Sequence, residues 1–235
     1  MSNTVYAYEK LGGYNMPRKQ YAIIGIGRFG SSIAKTLSEM GFDVLAIDSD
    51  EHRIQEVSKI VTQAVTADST DEEALRSLGL RNFDVVVVAI GEDIQSSILT
   101  TLILKEMDIP TILVKAQNEL HGKVLTRIGA DKVIFPERDM GVRVAHHLTS
   151  PNVLDYIEIS EEYSIVEMKA SEAMIGSNLK ELDIRVRYSC NVMAIKRGNQ
   201  MNIAPSPDER LKPDDILVIV GQKNDLLKME LGLEE

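Results

Sequence analysis

The sequence predicts an α/β fold in which a doubly wound parallel sheet is followed by a small α+β domain. Over residues 20–152, apolar runs alternate six times with helical patterns through short connections, which is typical of right-handed crossovers in a parallel sheet. From residue 153 the runs alternate apolar and polar residues instead, as half-buried strands do. We therefore predict one domain over residues 20–152, a second over 153–235, and a flexible extension over 1–19.

A glycine-rich motif, Gly25-Ile-Gly-Arg-Phe-Gly30, follows the first apolar run directly and opens a helical pattern. Gly25 allows a tight turn, Gly27 lets the backbone approach a phosphate, and Gly30 lets the helix pack closely against the sheet. The free N–H groups at the start of the helix, together with its dipole, bind the anion. This arrangement is typical of a Rossmann-like nucleotide-binding sheet.

Asp48 ends the second apolar run, where a carboxylate accepts hydrogen bonds from the ribose hydroxyls of a bound nucleotide. A glycine pattern alone would be weak evidence, but here strand, loop, helix and acid occur in register. We therefore predict a bound adenine nucleotide or dinucleotide. Asp48 should also disfavour NADP, because its charge repels a 2′-phosphate.

The remaining elements follow in the same order. Asp50 and Thr70 are expected to be helix N-caps, and Ile33, Leu37 and Met40 are expected to form the packing face of the first helix. Further strands are predicted at 63–68, 85–90, 111–115 and 132–135, and further helices at 94–107, 118–128 and 137–149. The second domain is predicted to have strands at 156–160, 164–168, 191–195, 202–204 and 215–220, and helices at 176–182 and 225–231.

Chemically distinctive residues occur where the predicted strands end, which is where a doubly wound sheet forms its ligand crevice. They are Gly25–Gly30, Asp48, Asp68, Gly91, Lys115 and Glu137. Arg28 has two interpretations: a bidentate contact to a terminal phosphate, or a plain surface residue at a tolerant motif position. Glu137 also has two: a group that handles a cation or phosphate, or an acid favoured by the helix dipole.

The composition limits the class of protein. The chain has 26 basic and 36 acidic residues and a net charge of −10, which argues against a nucleic-acid or anionic-membrane surface. Cys190 is the single cysteine, so there is neither a disulfide framework nor a cysteine metal cluster, which fits a reducing cytosol. The longest apolar run, 85–90, is too short to span a bilayer, and residues 1–19 do not have the pattern of a signal peptide.

Several motifs together resemble the cytosolic RCK (KTN) regulatory subunit of Ktr-type bacterial potassium uptake systems. The resemblance covers residues 19 to about 222, and the motifs that carry it are Gly25-Ile-Gly-Arg-Phe-Gly30, Ala46-Ile-Asp48, Val88-Ala-Ile-Gly91, Val114-Lys-Ala-Gln117, Ile128-Gly-Ala-Asp131 and Pro136-Glu-Arg-Asp-Met140. It implies a nucleotide-binding lobe, a crossover helix that builds a homodimer, and a C-terminal lobe. Four dimers would form an octameric ring beneath a membrane-embedded potassium-conducting subunit, so the chain would be cytoplasmic and peripheral on the inner face of the plasma membrane.

The same resemblance implies the ligands and the residues that hold them. ATP would favour an open ring and transport, ADP the inactive shape, and some members of the family also bind NAD(H). Asp48 would hold the ribose with Asp50 and Asp68 nearby, Arg28 would reach the terminal phosphate, and Glu137 would join a divalent-cation site (Mg or Ca) at the dimer contact. The other implied crevice positions are Gly25, Gly27, Phe29, Gly30, Ala89, Ile90, Gly91 and Lys115.

In the C-terminal lobe the resemblance implies a site for cyclic di-AMP between two subunits. The corresponding positions are Leu179, Ile184, Arg185, Asn191, Ile203 and Pro205.

We interpret the chain as a nucleotide-gated regulatory subunit and not as an enzyme. One alternative is a small NAD-dependent oxidoreductase, but no convincing base and orienting group follow residue 156. Another is a redox-sensing repressor, which would need a basic DNA-recognition module that this acidic sequence lacks.

Overall fold

The computed structural model describes residues 19–149 and 152–232. The extension predicted over residues 1–19 therefore lies, except for its last residue, outside the described residues. The chain divides into two compact units, the first ending at Glu137 and the second beginning at Arg138. The domain boundary proposed after residue 152 stays a prediction.

The first unit is built on a six-stranded parallel sheet with the strand order β3-β2-β1-β4-β5-β6. Its strands are β1 (Gln20–Ile24), β2 (Asp43–Asp48), β3 (Gln63–Thr66), β4 (Val85–Val88), β5 (Ile112–Lys115) and β6 (Lys132–Ile134). Its helices are α1 (Arg28–Glu39), α2 (Glu51–Val57), α3 (Glu72–Ser77), α4 (Ile94–Glu106), α5 (Glu119–Arg127) and the start of α6 (Pro136–Thr149), with a 3₁₀ turn at Leu80–Asn82. This is the strand order of a doubly wound dinucleotide-binding sheet, so the predicted fold class is confirmed.

Both faces of the central strands are buried, which explains their unbroken apolar sequences. In β1, Ala22 and Ile24 belong to one core cluster, whereas Ile23 points into the cluster on the opposite face. In β4, Val86 and Val88 pack in the first cluster and Val87 in the second. The reversal of strand order therefore lies between two strands that are buried on both faces, and the ligand crevice of such a sheet forms outside their carboxyl ends.

Two predicted details of the helices need correction. Asp50 is the N-cap of α2, as expected, but Asp71 and not Thr70 caps α3. The hydroxyl of Thr70 instead donates to the carboxylate of Asp68 at 2.7 Å, which removes it from the capping position. Helix α1 ends at Glu39, and Met40 is 49 % exposed rather than on the packing face.

The second unit contains a five-stranded antiparallel sheet with the order β10-β9-β11-β8-β7. Its strands are β7 (Val153–Glu158), β8 (Tyr163–Lys169), β9 (Asn191–Arg197), β10 (Gln200–Ile203) and β11 (Ile216–Gln222). Its helical elements are a 3₁₀ turn at Glu172–Met174 and the helices α7 (Leu179–Leu182), α8 (Ile184–Tyr188) and α9 (Lys223–Gly232).

Helix α8 was not predicted, because it has only five residues and its entry at Asp183 is left-handed, with φ of +45°. Such a short helix shows no apolar period, and Val186 within it is 77 % exposed. Cys190 lies directly after α8 and is buried, so it contributes to packing. Burial raises the pKa of this thiol to about 11.

None of the helices in the described parts of the chain is long and apolar enough to cross a membrane.

Candidate nucleotide-binding crevice

The glycine-rich loop between β1 and α1 has two positions that tolerate only glycine. Gly25 has φ of +92°, and a Cβ there would lie 3.0 Å from the backbone carbon of Ala89. A Cβ on Gly30 would lie 1.9 Å from the carbonyl oxygen of Gly25, so its absence lets α1 close back onto the loop. A Cβ on Gly27, by contrast, would meet no atom within 4 Å. The space beside Gly27, the position predicted to face a phosphate, is therefore not filled by other protein atoms.

The first turn of α1 has the character of an anion site. Gly27 is its N-cap, no side chain caps the helix, and its first turn contains no acidic residue. The leading N–H groups are therefore left for an external acceptor. Arg28 is exposed in this turn and Phe29 is half-buried beside it.

Asp48, the predicted ribose acceptor, is buried and does more than the sequence indicates. Its Oδ2 accepts a hydrogen bond from the backbone N–H of Ile26 at 2.6 Å, and its Oδ1 accepts one from the N–H of Asp50 at 2.9 Å. Besides its predicted role as the ribose acceptor, this carboxylate therefore holds the glycine-rich loop. Each oxygen keeps a second lone pair, so the carboxylate can still accept from a ribose diol.

Arg53 is a charged crevice residue that sequence reasoning missed. Its Nη1 lies 3.5 Å from Oδ2 of Asp48, and its Nε lies 3.5 Å from Oδ2 of Asp50. The only available signal was its position three residues after the N-cap Asp50, on the first turn of α2. Arg53 offsets part of the negative charge that two neighbouring carboxylates bring to the end of β2.

Asp68 lies just beyond the carboxyl end of β3, and its side chain is exposed. Hydrogen bonds from the backbone N–H of Thr70 at 2.8 Å, and then from its hydroxyl, hold the pKa of Asp68 below its ordinary value. Asp68 therefore stays ionised at neutral pH and can accept hydrogen bonds at the nucleoside end of the crevice.

On the other side of the switch in strand order, Lys115 and Glu137 form an ion pair. The Nζ of Lys115 donates to Oε1 of Glu137 at 2.6 Å and lies 5.9 Å from the ring centroid of Phe29. The lysine side chain is only 12 % exposed, whereas that of Glu137 is 71 % exposed. The hydrogen bond from Lys115, with a smaller contribution from the charge of Arg28, lowers the pKa of Glu137. Four predicted crevice residues are thereby brought together.

The residues that end β4 line the loop rather than an open surface. Ala89 is buried and donates its backbone N–H to the carbonyl of Ile24 at 2.7 Å. Ile90 packs against the core of the first unit. Gly91 lies against the lysine, since a Cβ there would be 3.2 Å from Nζ of Lys115.

Glu137 does not form a metal site by itself. In the described residues there is no group of three His, Cys, Asp or Glu side chains that could hold a metal ion, and the oxygen of Glu137 is bound to an ammonium. One carboxylate does not fit a divalent cation without further ligands. The metal assignment of Glu137 stays a prediction.

The predicted cyclic di-AMP residues of the second unit fall into two groups. Ile184 is buried and Leu179 packs against the same core, so both support the fold. Arg185 and Asn191 are exposed, Ile203 is 77 % exposed, and Pro205 is half-buried. Asn191 begins β9, Ile203 ends β10 with Pro205 two residues later, and Arg185 lies on α8.

A charged clamp in the second unit was not visible in the sequence. Asp215 is completely buried and accepts two hydrogen bonds from Arg197, at 2.8 and 2.7 Å, and one from the N–H of Lys212. Burial alone would raise the pKa of Asp215, but the bonds from Arg197 and Lys212 outweigh it and hold the pKa below the ordinary value. Arg197 also contacts Glu209 at 3.3 Å, so the clamp ties the loop that follows Pro205 to β9.

Comparisons with known proteins agree with this architecture. The TrkA-N domain family matches residues 21–136 and the TrkA-C domain family matches residues 163–231. The Ktr system potassium uptake protein C of Bacillus subtilis is 54 % identical over 213 residues, which cover 91 % of this chain and 96 % of that protein. The Ktr system potassium uptake protein A of the same organism is 49 % identical over 212 residues, covering 90 % and 96 %.

Among solved structures, the GsuK channel is similar with a TM-score of 0.67 and 17 % identity, over 92 % of this chain and 40 % of that one. This likeness supports the fold alone. The resemblance indicated by the motifs is confirmed by the sequence relatives, in which nearly the full length of both chains is aligned. The chain belongs to the family of RCK regulatory subunits of Ktr potassium uptake systems.

Proposed function

We propose that this regulatory subunit binds ATP and ADP in the crevice of its first unit and controls potassium transport according to which nucleotide is bound. The observation that carries the proposal is the hydrogen bond between Asp48 and the backbone of Ile26. It joins the ribose acceptor to the phosphate loop, so that one nucleotide contacts both at once. NAD(H) is a second ligand class that the same contacts admit.

The nucleoside end of the site is formed by acids at the ends of β2 and β3. Asp48 accepts from the ribose hydroxyls, while Asp50 and Asp68 lie nearby and Arg53 offsets their charge. These contacts are common to ATP and ADP. They supply affinity but do not distinguish the two nucleotides.

The phosphate end of the site distinguishes ATP from ADP. The N–H groups at the start of α1 bind the phosphates, and Arg28 in the same turn reaches the terminal phosphate of ATP. A ligand shifts a conformational equilibrium only by its differential affinity for the two states. Contact between Arg28 and the γ-phosphate, from the same or a neighbouring subunit, gives ATP that difference.

Assembly uses helix α6, in which no described residue is buried. Met140, Val144 and Leu148 recur every fourth residue and are 53 %, 48 % and 79 % exposed. An apolar stripe of this kind favours packing against a second copy. We propose that such homodimers assemble into an octameric ring, with Glu137 at the dimer contact contributing to a divalent-cation site.

The partner is a membrane-embedded potassium-conducting subunit, against whose cytoplasmic side the ring docks. Support comes from the relatives, which are potassium uptake proteins of the Ktr system. The chain therefore acts in the cytoplasm, peripheral to the membrane, without catalysing a reaction.

The second unit is proposed to bind cyclic di-AMP across a two-fold axis. Arg185 contacts a phosphate, Asn191 lies beside it, and Ile203 and Pro205 pack against the bases, while Leu179 and Ile184 support this surface from the core. Two related subunits present the same patch twice to a nearly symmetric ligand.

Calorimetry of the purified full chain with ATP, ADP and NADH tests nucleotide binding. Size-exclusion chromatography with light scattering tests the assembly. We expect saturable binding of ATP and ADP at one crevice site per chain, and a ring-sized assembly. Absence of binding by either nucleotide would overturn the proposed nucleotide site.

A further inference from the structure

The ion pair between Lys115 and Glu137 lies where β5 and β6 end, in the second half of the parallel sheet. In a doubly wound sheet, a dinucleotide crosses the switch in strand order, with its adenosine over one half and its other nucleoside over the other. Asp48 marks the adenosine half, at the end of β2. Lys115 ends β5 and Glu137 follows β6, which places the pair in the opposite half.

We propose that Lys115 makes this crevice select mononucleotides with terminal phosphates over dinucleotides. This inference rests on the proposed nucleotide site and goes beyond it by deciding between the ligand classes that the site admits. Lys115 acts in two ways: its ammonium attracts a terminal phosphate, and with Glu137 it occupies the space of a second nucleoside.

The position of the lysine is fixed by its surroundings. Its side chain is largely buried, and its Nζ lies so close to Gly91 that a Cβ there would be 3.2 Å away. The ammonium lies 5.9 Å from the centre of the Phe29 ring, in the first turn of the phosphate-binding helix α1. The ammonium is thus held beside a side chain of the turn whose N–H groups we propose to bind phosphate.

Charge favours the same ligand class. Lys115 is paired with the carboxylate of Glu137, and the charge of Arg28 acts on the same carboxylate more weakly, so the start of α1 has more positive than negative charge close by. The terminal phosphate of ADP or ATP carries charge that the esterified pyrophosphate of a dinucleotide lacks, and it gains more from the spare positive charge. A dinucleotide must also push its second nucleoside against the pair, and separating a partly buried ion pair is unfavourable.

The test is equilibrium binding of ADP and NADH to the full chain and to two variants, in the presence of a chelator so that no divalent cation contributes. For Lys115→Met, which keeps the length of the side chain, we expect ADP affinity to fall about tenfold, the size of one charge-assisted contact. NADH affinity should be unchanged or higher. For Glu137→Gln we expect the opposite change, tighter ADP binding, because a competing carboxylate is removed while the lysine stays.

Lys132→Met is the matched control, since Lys132 is exposed at the beginning of β6, whereas Glu137 follows the end of that strand. Its ratio of ADP to NADH affinity should equal that of the unmodified chain. If Lys115→Met leaves the ratio of ADP to NADH affinity unchanged, Lys115 does not select between the two ligand classes. The same conclusion follows if Lys115→Met and Glu137→Gln shift this ratio in the same direction. Either result would leave the nucleotide site itself intact. Failure of the unmodified chain to bind ADP would overturn both proposals.

Discussion

The carboxylate of Asp48 accepts a hydrogen bond from the backbone N–H of Ile26 at 2.6 Å. Residue 26 lies within the glycine-rich loop, and Asp48 ends the neighbouring parallel strand β2. Because both groups are buried, the acid and the loop form one rigid unit before any ligand arrives. The crevice is thereby pre-organised for a nucleotide that needs both.

Replacing Asp48 by alanine should abolish binding of ATP and ADP and also lower stability. The ribose acceptor is lost, and the buried N–H of Ile26 is left without a partner, which costs about 1–3 kcal/mol. Calorimetry measures the first effect and urea unfolding the second.

Asp131→Ala is the control, since Asp131 accepts from the backbone N–H of Ile112 at 2.8 Å at the opposite end of the sheet. It should lower stability by a similar amount and bind nucleotide normally. Unchanged ATP affinity in Asp48→Ala would rule out this crevice as the site.

Replacing Arg28 by alanine should remove the preference for ATP. Both nucleotides share the ribose contact and the helix N-terminus, so only a group at the γ-phosphate separates them. We expect nearly normal ADP affinity and a loss of about 1.5–3 kcal/mol for ATP, the size of a charge-assisted hydrogen bond. Titration calorimetry with each nucleotide measures the difference.

Arg28→Lys keeps the charge but not the bidentate geometry, and should recover only part of the preference. If Arg28→Ala keeps the full ATP-to-ADP ratio, the discriminating group is elsewhere, and Lys115 is the next to test.

Replacing Arg185 by alanine should weaken binding of cyclic di-AMP by the full chain at least about tenfold, because one charge-assisted phosphate contact is lost. Arg185 is exposed, so the unfolding free energy should not change. Arg187→Ala removes an exposed arginine from the same helix, whose guanidinium lies over Tyr188, and serves as the control. Equal cyclic di-AMP affinity in the unmodified chain and Arg185→Ala would contradict the assignment.

Arg197→Met should destabilise the second unit by about 3–5 kcal/mol at neutral pH, since it leaves the buried Asp215 carboxylate unpaired. In the unmodified chain the pKa of Asp215 lies below its ordinary value of 3.8, so its stabilising effect is complete above that pH and is lost below it. In the variant the two hydrogen bonds from Arg197 are lost and only the N–H of Lys212 remains, so burial raises this pKa, and the penalty disappears when the carboxyl group is protonated.

The difference in unfolding free energy between the two chains should therefore be greatest near pH 7. It should begin to shrink as the pH falls to the raised pKa of Asp215 in the variant, and go on shrinking down to the lowered pKa in the unmodified chain. Asp215→Asn in the Arg197→Met background should recover part of the stability, because the amide carries no charge but still accepts from Lys212. A difference that does not vary with pH would contradict the clamp.

The sheet and the phosphate loop could be predicted from the sequence because their signals are local. The run of valines in β4 and the spacing of Gly25, Gly27 and Gly30 reflect burial and turn geometry within a few residues. Their parallel order then follows from the handedness of short crossovers.

The pairings that shape the site could not be predicted, because they join residues that are far apart in the sequence. Lys115 and Glu137 are 22 positions apart, and Arg197 and Asp215 are 18 apart. Neither hydrophobic periodicity nor a sequence motif indicates which of the many charged side chains will form ion pairs. In the second unit, Ile184 looked equivalent to Ile203 as an apolar residue, yet only the fold shows that the first is buried and the second is exposed.

Potassium flux into vesicles that contain the membrane partner and this subunit tests the central claim most directly. ATP should raise the flux above that with ADP, and Asp48→Ala should show one flux value whichever nucleotide is added. Equal flux with ATP, with ADP and without nucleotide in the unmodified chain would contradict nucleotide gating.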